Sequence, residues 1–148
     1  MDKVFGSTLC IYKEPEPPAD PIPATEEEGA EQQPAAIGLG DYYTSVPVEQ
    51  VVGKEGLEYI MVLFSAEYCP PCAKFVEPLK NFCAEYFKDG KTELVLINCD
   101  QREKEYSEHL KTMQWCHAVP FSVEPEIIQQ LEDAANASVI PKLAVFNI

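Results

Sequence analysis

Between Leu57 and Phe64 the chain reads LEYIMVLF, a nearly continuous apolar run that predicts a strand covered on both faces. Glu93–Cys99 (ELVLINC) has the same character and predicts a second buried strand, with Asp100 just beyond it. Between the two, residues 70–87 place Val76, Leu79, Phe82, Cys83, Tyr86 and Phe87 at helical spacing, and Asp89-Gly90 ends that element. Upstream, Tyr42–Val46 forms a short strand candidate, and Pro47–Gly56 reads as a turn of helix followed by a loop. Downstream, Arg102–Met113 is charged and predicts a surface helix. Glu124–Ala135 (EPEIIQQLEDAA) is more clearly amphipathic, and its opening acids suit a helix N-terminus. Pro141–Ile148 (PKLAVFNI) begins a last strand. Strands alternating with helices predict an α/β sheet.

Composition divides the chain. Its 148 residues include 13 Pro, about 9% against an ordinary value of roughly 5%. Six of them fall in residues 14–34, together with seven Asp/Glu and no Lys or Arg. Half of the formal net charge of −14 sits there, beside one large aliphatic side chain, Ile22. Such a stretch buries too little apolar surface to offset its ordering entropy, so it reads as an arm of polyproline character, solvated or held by a partner. The expected division is an N-terminal segment, residues 1–41, and a globular domain, residues 42–148. With 46% hydrophobic residues the chain has enough apolar material for one core. The acidic balance argues against nucleic acid and anionic membranes, which are bound through clustered Lys/Arg. The longest apolar run, Tyr59–Ala66, is far short of the roughly 18 residues of a spanning helix. The N-terminus has no apolar leader core, and a single arginine, Arg102, does not suit a transit peptide. The expected setting is intracellular, in the cytoplasm, without membrane insertion.

The chemistry concentrates at Cys69-Pro70-Pro71-Cys72. The first apolar strand runs through Ser65-Ala66-Glu67-Tyr68 into this tetrapeptide, and a helix follows. That places Cys69 at a helix N-terminus, where unpaired N–H groups and the helix dipole favour thiolate, the nucleophilic form of the side chain. Cys72, three residues on, returns to the same face and can resolve a mixed disulfide. The prolines fit a first turn that needs no N–H from them. Two other uses of the pair stand beside this one. A zinc site ordinarily needs a second close ligand pair, whereas Cys83, Cys99 and Cys116 are isolated and His109 and His117 stand apart. A structural disulfide runs against an intracellular setting. Cys83 and Cys99 read as core thiols and Trp115 as a packing residue, while Cys10 and Cys116 carry no assignment.

The stretch MVLFSAEYCPPCAKFVEPL resembles the active-site region of the thioredoxin superfamily, and FSAEYCPPC resembles its tryparedoxin and nucleoredoxin branch. Met113-Gln114-Trp115 followed by Ala118-Val119-Pro120-Phe121 is similar to that branch's segment ending in AVPF. Ile140-Pro141 occupies the place of the superfamily's cis-proline. The resemblance spans residues 42–148 and implies a three-layer α/β/α thioredoxin-like fold. It implies a thiol–disulfide oxidoreductase cycling Cys69 and Cys72, with protein disulfides or thiols as substrates and no metal or organic cofactor. A substrate groove would be formed by Tyr68, Pro70, Pro71, Ile140 and Pro141. Tyr68 replaces the branch's usual Trp, Leu63 takes the position of the buried Asp of typical thioredoxins, and Lys142 would set a charge beside the groove. The superfamily continues with a further strand and helix, which the sequence ending at Ile148 leaves out. The alternative reading is therefore a thioredoxin-fold structural subunit, its cysteines idle or regulatory. In that reading the 14–41 arm lies on a protein partner, and a partner covers the sheet edge.

Overall fold

The computed structural model describes residues 5–15 and 42–148. Ten elements follow in chain order. They are β1 (Thr8–Tyr12), β2 (Tyr43–Pro47), α1 (Val48–Val52), β3 (Tyr59–Ser65), α2 (Pro70–Tyr86), β4 (Thr92–Asn98), α3 (Glu103–Thr112), β5 (His117–Ala118), α4 (Pro125–Ala135) and β6 (Lys142–Asn147). One mixed sheet has the order β2-β1-β5-β4-β3-β6. β3 and β4 run parallel, with Leu63 opposite Leu96 and Ser65 opposite Asn98, and β5 continues the parallel set beside β4. β6 returns antiparallel along β3, while β1 lies antiparallel to both β5 and β2.

The alternation of β3 divides its side chains between two cores. Ile60, Val62 and Phe64 join Leu9, Val51, Val95, Ile97 and Leu131 on the face covered by α1 and α4. Met61 and Leu63 join Val76, Leu79, Leu96, Tyr106 and Leu110 on the face covered by α2 and α3. The three-layer α/β/α arrangement is thus a direct result of burying both faces of one apolar strand pair. Each large aliphatic side chain fully removed from water contributes about 1.5–3 kcal/mol. Among the described residues no helix is long and apolar enough to cross a membrane.

Three differences from the sequence expectations have physical causes. The sheet begins upstream of residue 42: β1 sits between β2 and β5, with Leu9 and Cys10 wholly buried. A five-residue strand beside a charged, proline-rich stretch carries too little periodicity to announce itself. β5 is two residues long and equally silent, because its pairing with β4 and β1 comes entirely from its neighbours. The expected surface helix, α3, instead buries Tyr106, Ser107, His109 and Leu110. Its charges occupy one face only. The arm assigned to 14–41 lies, from residue 16 onward, outside the described residues.

Candidate active site

The parallel strands β3 and β4 end on the same side of the sheet, the usual place for a site in an open α/β fold. Four residues after Ser65 the chain enters α2, with Cys69 as its N-cap in extended conformation and Pro70 and Pro71 opening the first turn. Neither proline has an N–H to offer, so Cys72 is the first residue of the helix to carry a free donor. The Ala73 N–H closes the turn on the Cys69 carbonyl at 3.2 Å.

The two sulfurs lie 2.6 Å apart, the Cys72 thiol donating toward Cys69. Both are unpaired thiols. Cys72 is completely buried, and Cys69 keeps 8% of its surface. The order of accessibility is as expected, but Cys69 is more enclosed than the partial exposure that a free nucleophile suggests, because Ala66 and Ile140 pack against the pair. Burial, reinforced by the adjacent Cys69 sulfur, pushes the Cys72 thiol above its ordinary pKa. The Ile140–Pro141 bond is cis, and the Ile140 carbonyl lies 3.9 Å from the Cys69 sulfur. Ile140 is therefore at the cysteine pair, and its bond to Pro141 has the isomer that the superfamily's cis-proline implies.

A groove of about 700 Å³ adjoins the pair. Of the residues expected to form it, Tyr68 and Ile140 line it, while Pro70, Pro71 and Pro141 do not. Its walls bring in Cys99, Asp100, Glu132 and Val139 instead, and no basic side chain among the described residues lines it. Lys142 is not a wall of the groove: it stands at the start of β6, in register with Phe64. Tyr68 and Val139 are the exposed apolar groups at its rim. Cys99 packs both against the core of β3 and β4 and against the Cys69–Cys72 pair, and burial pushes its thiol up to about 11.

Polar groups that sequence reasoning passed over support the loop from below. Asp100 is 5% exposed, and both its carboxylate oxygens accept from the Glu67 N–H, at 3.1 and 2.9 Å. Its own N–H donates to Asn98 Oδ1 at 2.9 Å. His109, 2% exposed, approaches Glu67 Oε2 at 3.4 Å through Nδ1. Burial holds the imidazole below its ordinary pKa, although Asp100 and Glu67 pull the other way. Ser65, fully buried at the end of β3, has no hydrogen-bond partner for its hydroxyl among the described residues. Its one signal in the sequence is that it interrupts an apolar run.

Comparison with known proteins agrees with this geometry. A family model described as thioredoxin-like matches residues 56–147. Tryparedoxin of Trypanosoma brucei brucei is 29% identical over 118 residues, 80% of this chain and 78% of that protein. Nucleoredoxin of Xenopus laevis is 34% identical over 67 residues, 45% of this chain and 16% of that protein. Among solved structures, tryparedoxin from Trypanosoma brucei superimposes with a TM-score of 0.60 at 26% identity, covering 70% of this chain and 67% of that one. Native tryparedoxin I from Crithidia fasciculata gives 0.59 at 27% identity, with coverage of 70% and 67%.

Proposed function

This chain belongs to the thioredoxin-like family, and from that premise we propose that it is a thiol–disulfide oxidoreductase of tryparedoxin or nucleoredoxin type. One observation carries the reading: two unpaired thiols 2.6 Å apart at the start of α2, beside the cis Ile140–Pro141 bond. Cys69, the more accessible of the two, attacks a disulfide R–S–S–R′ as thiolate, forming Cys69–S–S–R and releasing R′–S⁻. Cys72 keeps its proton through this step because burial disfavours its thiolate. It then loses that proton and attacks the Cys69 sulfur, closing the Cys69–Cys72 disulfide and releasing R–S⁻. A second thiol system reduces the pair again. The substrates are disulfides or thiols of proteins, presented along the groove beside Tyr68 and Ile140. The setting proposed for it is a reducing intracellular compartment, the cytoplasm, where protein disulfides are mostly transient and catalytic.

The test is trapping. Cys72→Ser should accumulate a mixed disulfide through Cys69, and Cys69→Ser should not. Turnover of a model disulfide by the double Ser variant at the wild-type rate would overturn the proposal.

A second reading, a subunit that docks on a protein partner, has one observation in its favour. Tyr59 and Val145 are exposed on one face of the sheet at the β3–β6 edge, and exposed apolar area of this kind suits a contact. Sedimentation of the chain across a concentration series tests it. A monomer throughout, with no species captured by an edge-blocking partner, counts against it.

A further inference from the structure

We propose that the Ser65 hydroxyl is a catalytic hydrogen-bond donor to the Cys72 thiolate that forms during disulfide exchange. The inference rests on the oxidoreductase reading and adds a group to its second step.

The placement follows from two periodicities. Along β3, Met61 and Leu63 face α2, so Ser65, two residues further, faces the same layer. Along α2, Cys72, Val76, Leu79 and Cys83 form the buried stripe. Met61 and Leu63 share a core with Val76, Leu79 and Cys83. Continuing that contact toward the helix N-terminus brings Ser65 to the first turn, where Cys72 stands. Parity and stripe thus set the Ser65 hydroxyl on the α2 side of the sheet at the level of Cys72, where a hydrogen bond from it favours the Cys72 anion.

Ser65 is wholly buried and its hydroxyl has no partner in the dithiol protein. Its carbonyl is engaged, accepting from the Cys99 N–H at 2.8 Å. A buried unpaired hydroxyl is costly, and an alanine would avoid the cost. The hydroxyl acquires a strong acceptor only when Cys72 becomes a thiolate, a state in which a charge-assisted bond forms in a site closed to water. That state occurs twice in the cycle. Cys72 is the attacking thiolate when it displaces R–S⁻ from Cys69–S–S–R, and its proton leaves to solvent as it does so. It is the departing thiolate when an external thiolate attacks the Cys69 sulfur of the oxidised pair. In both steps Ser65 keeps its own proton. The other titratable groups facing Cys72 are Cys69 on its own helix, Tyr68 in the preceding loop and Cys99 beyond β4. All are acids whose ionisation disfavours a second anion.

The experiment uses an aromatic disulfide, dithiobisnitrobenzoate, whose two thiolates are released in two phases: one on attack by Cys69 and one on resolution by Cys72. Ser65→Ala should leave the first phase and the denaturant midpoint unchanged or slightly raised. It should slow the second phase at least about tenfold, equivalent to 1.4 kcal/mol, and move that phase's pH midpoint upward. Ser65→Thr, which keeps the hydroxyl, should restore the second phase to within about threefold. Resolution by Ser65→Ala at the wild-type rate would overturn the assignment while leaving the oxidoreductase reading intact. So would a Ser65→Ala protein that is destabilised and slow in both phases, because that is the mark of a packing role. Absence of the second phase in the wild-type chain itself would remove the oxidoreductase reading and this inference together.

Discussion

Replacing Asp100 should loosen the loop that delivers Cys69. The carboxylate holds one amide, the Glu67 N–H, two residues ahead of the cysteine, and the Asp100 backbone N–H donates to Asn98 Oδ1 at the end of β4. A hydrogen bond to a charged group contributes about 1.5–3 kcal/mol, and a neutral one about 0.5–1.5 kcal/mol. Asp100→Ala leaves the Glu67 amide without an acceptor in a half-buried position and should cost the full 1.5–3 kcal/mol. Asp100→Asn keeps a carbonyl oxygen in the same place and should cost roughly half as much. One effect opposes the loss, because removing an acid from a chain of net charge −14 relieves repulsion. The Asn variant loses the same charge, so the difference between Asn and Ala isolates the acceptor. Urea unfolding followed by the fluorescence of the single tryptophan, Trp115, measures the stabilities. The rate of Cys69 alkylation in the same proteins reports the loop directly and should rise in the order wild type, Asn, Ala. Equal stabilities of the Asn and Ala variants, with alkylation unchanged, would refute the idea that this carboxylate holds the loop.

His109 supplies a pH dependence. Its folded-state pKa is depressed by burial, so below about 6.5 the unfolded chain binds the proton first and the folded protein loses stability as pH falls toward the depressed value. Within that window His109→Gln should flatten the curve by up to about 1.4 kcal/mol per pH unit relative to wild type; parallel stability curves for the two proteins would show that His109 does not titrate with folding. The thiols differ as well. Burial pushes Cys10, Cys83 and Cys99 up to about 11 and Cys116 higher still. Near neutral pH only about one in ten thousand of the first three is thiolate. Alkylation of the reduced protein should therefore label Cys69 first by peptide mapping, and earlier labelling of Cys83 or Cys99 would reverse the assignment of the nucleophile.

What could be read from the chain alone was whatever a local period or motif announces. LEYIMVLF and ELVLINC are apolar throughout because both faces of β3 and β4 are covered, and no other environment in a water-soluble fold suits such runs. The stripe from Val76 to Cys83 and the acidic opening of α4 announce helices for equally local reasons. CPPC at a strand-to-helix junction places two thiols one helical turn apart, whatever surrounds them. Tertiary structure alone decided the rest. β1 and β5 are strands because they fill hydrogen-bonding positions beside β4 and β2, and five and two residues carry too little pattern to show it. Asp100, His109 and Ser65 lie far from one another along the chain and meet the cysteine loop only where β3, β4 and α3 converge. Lys142, adjacent in sequence to Pro141, opens β6 opposite Phe64 and does not itself line the groove. Periodicity sets which face of an element is buried, but it does not say which elements meet. The partners of a polar side chain at a site are decided by that second, non-local choice.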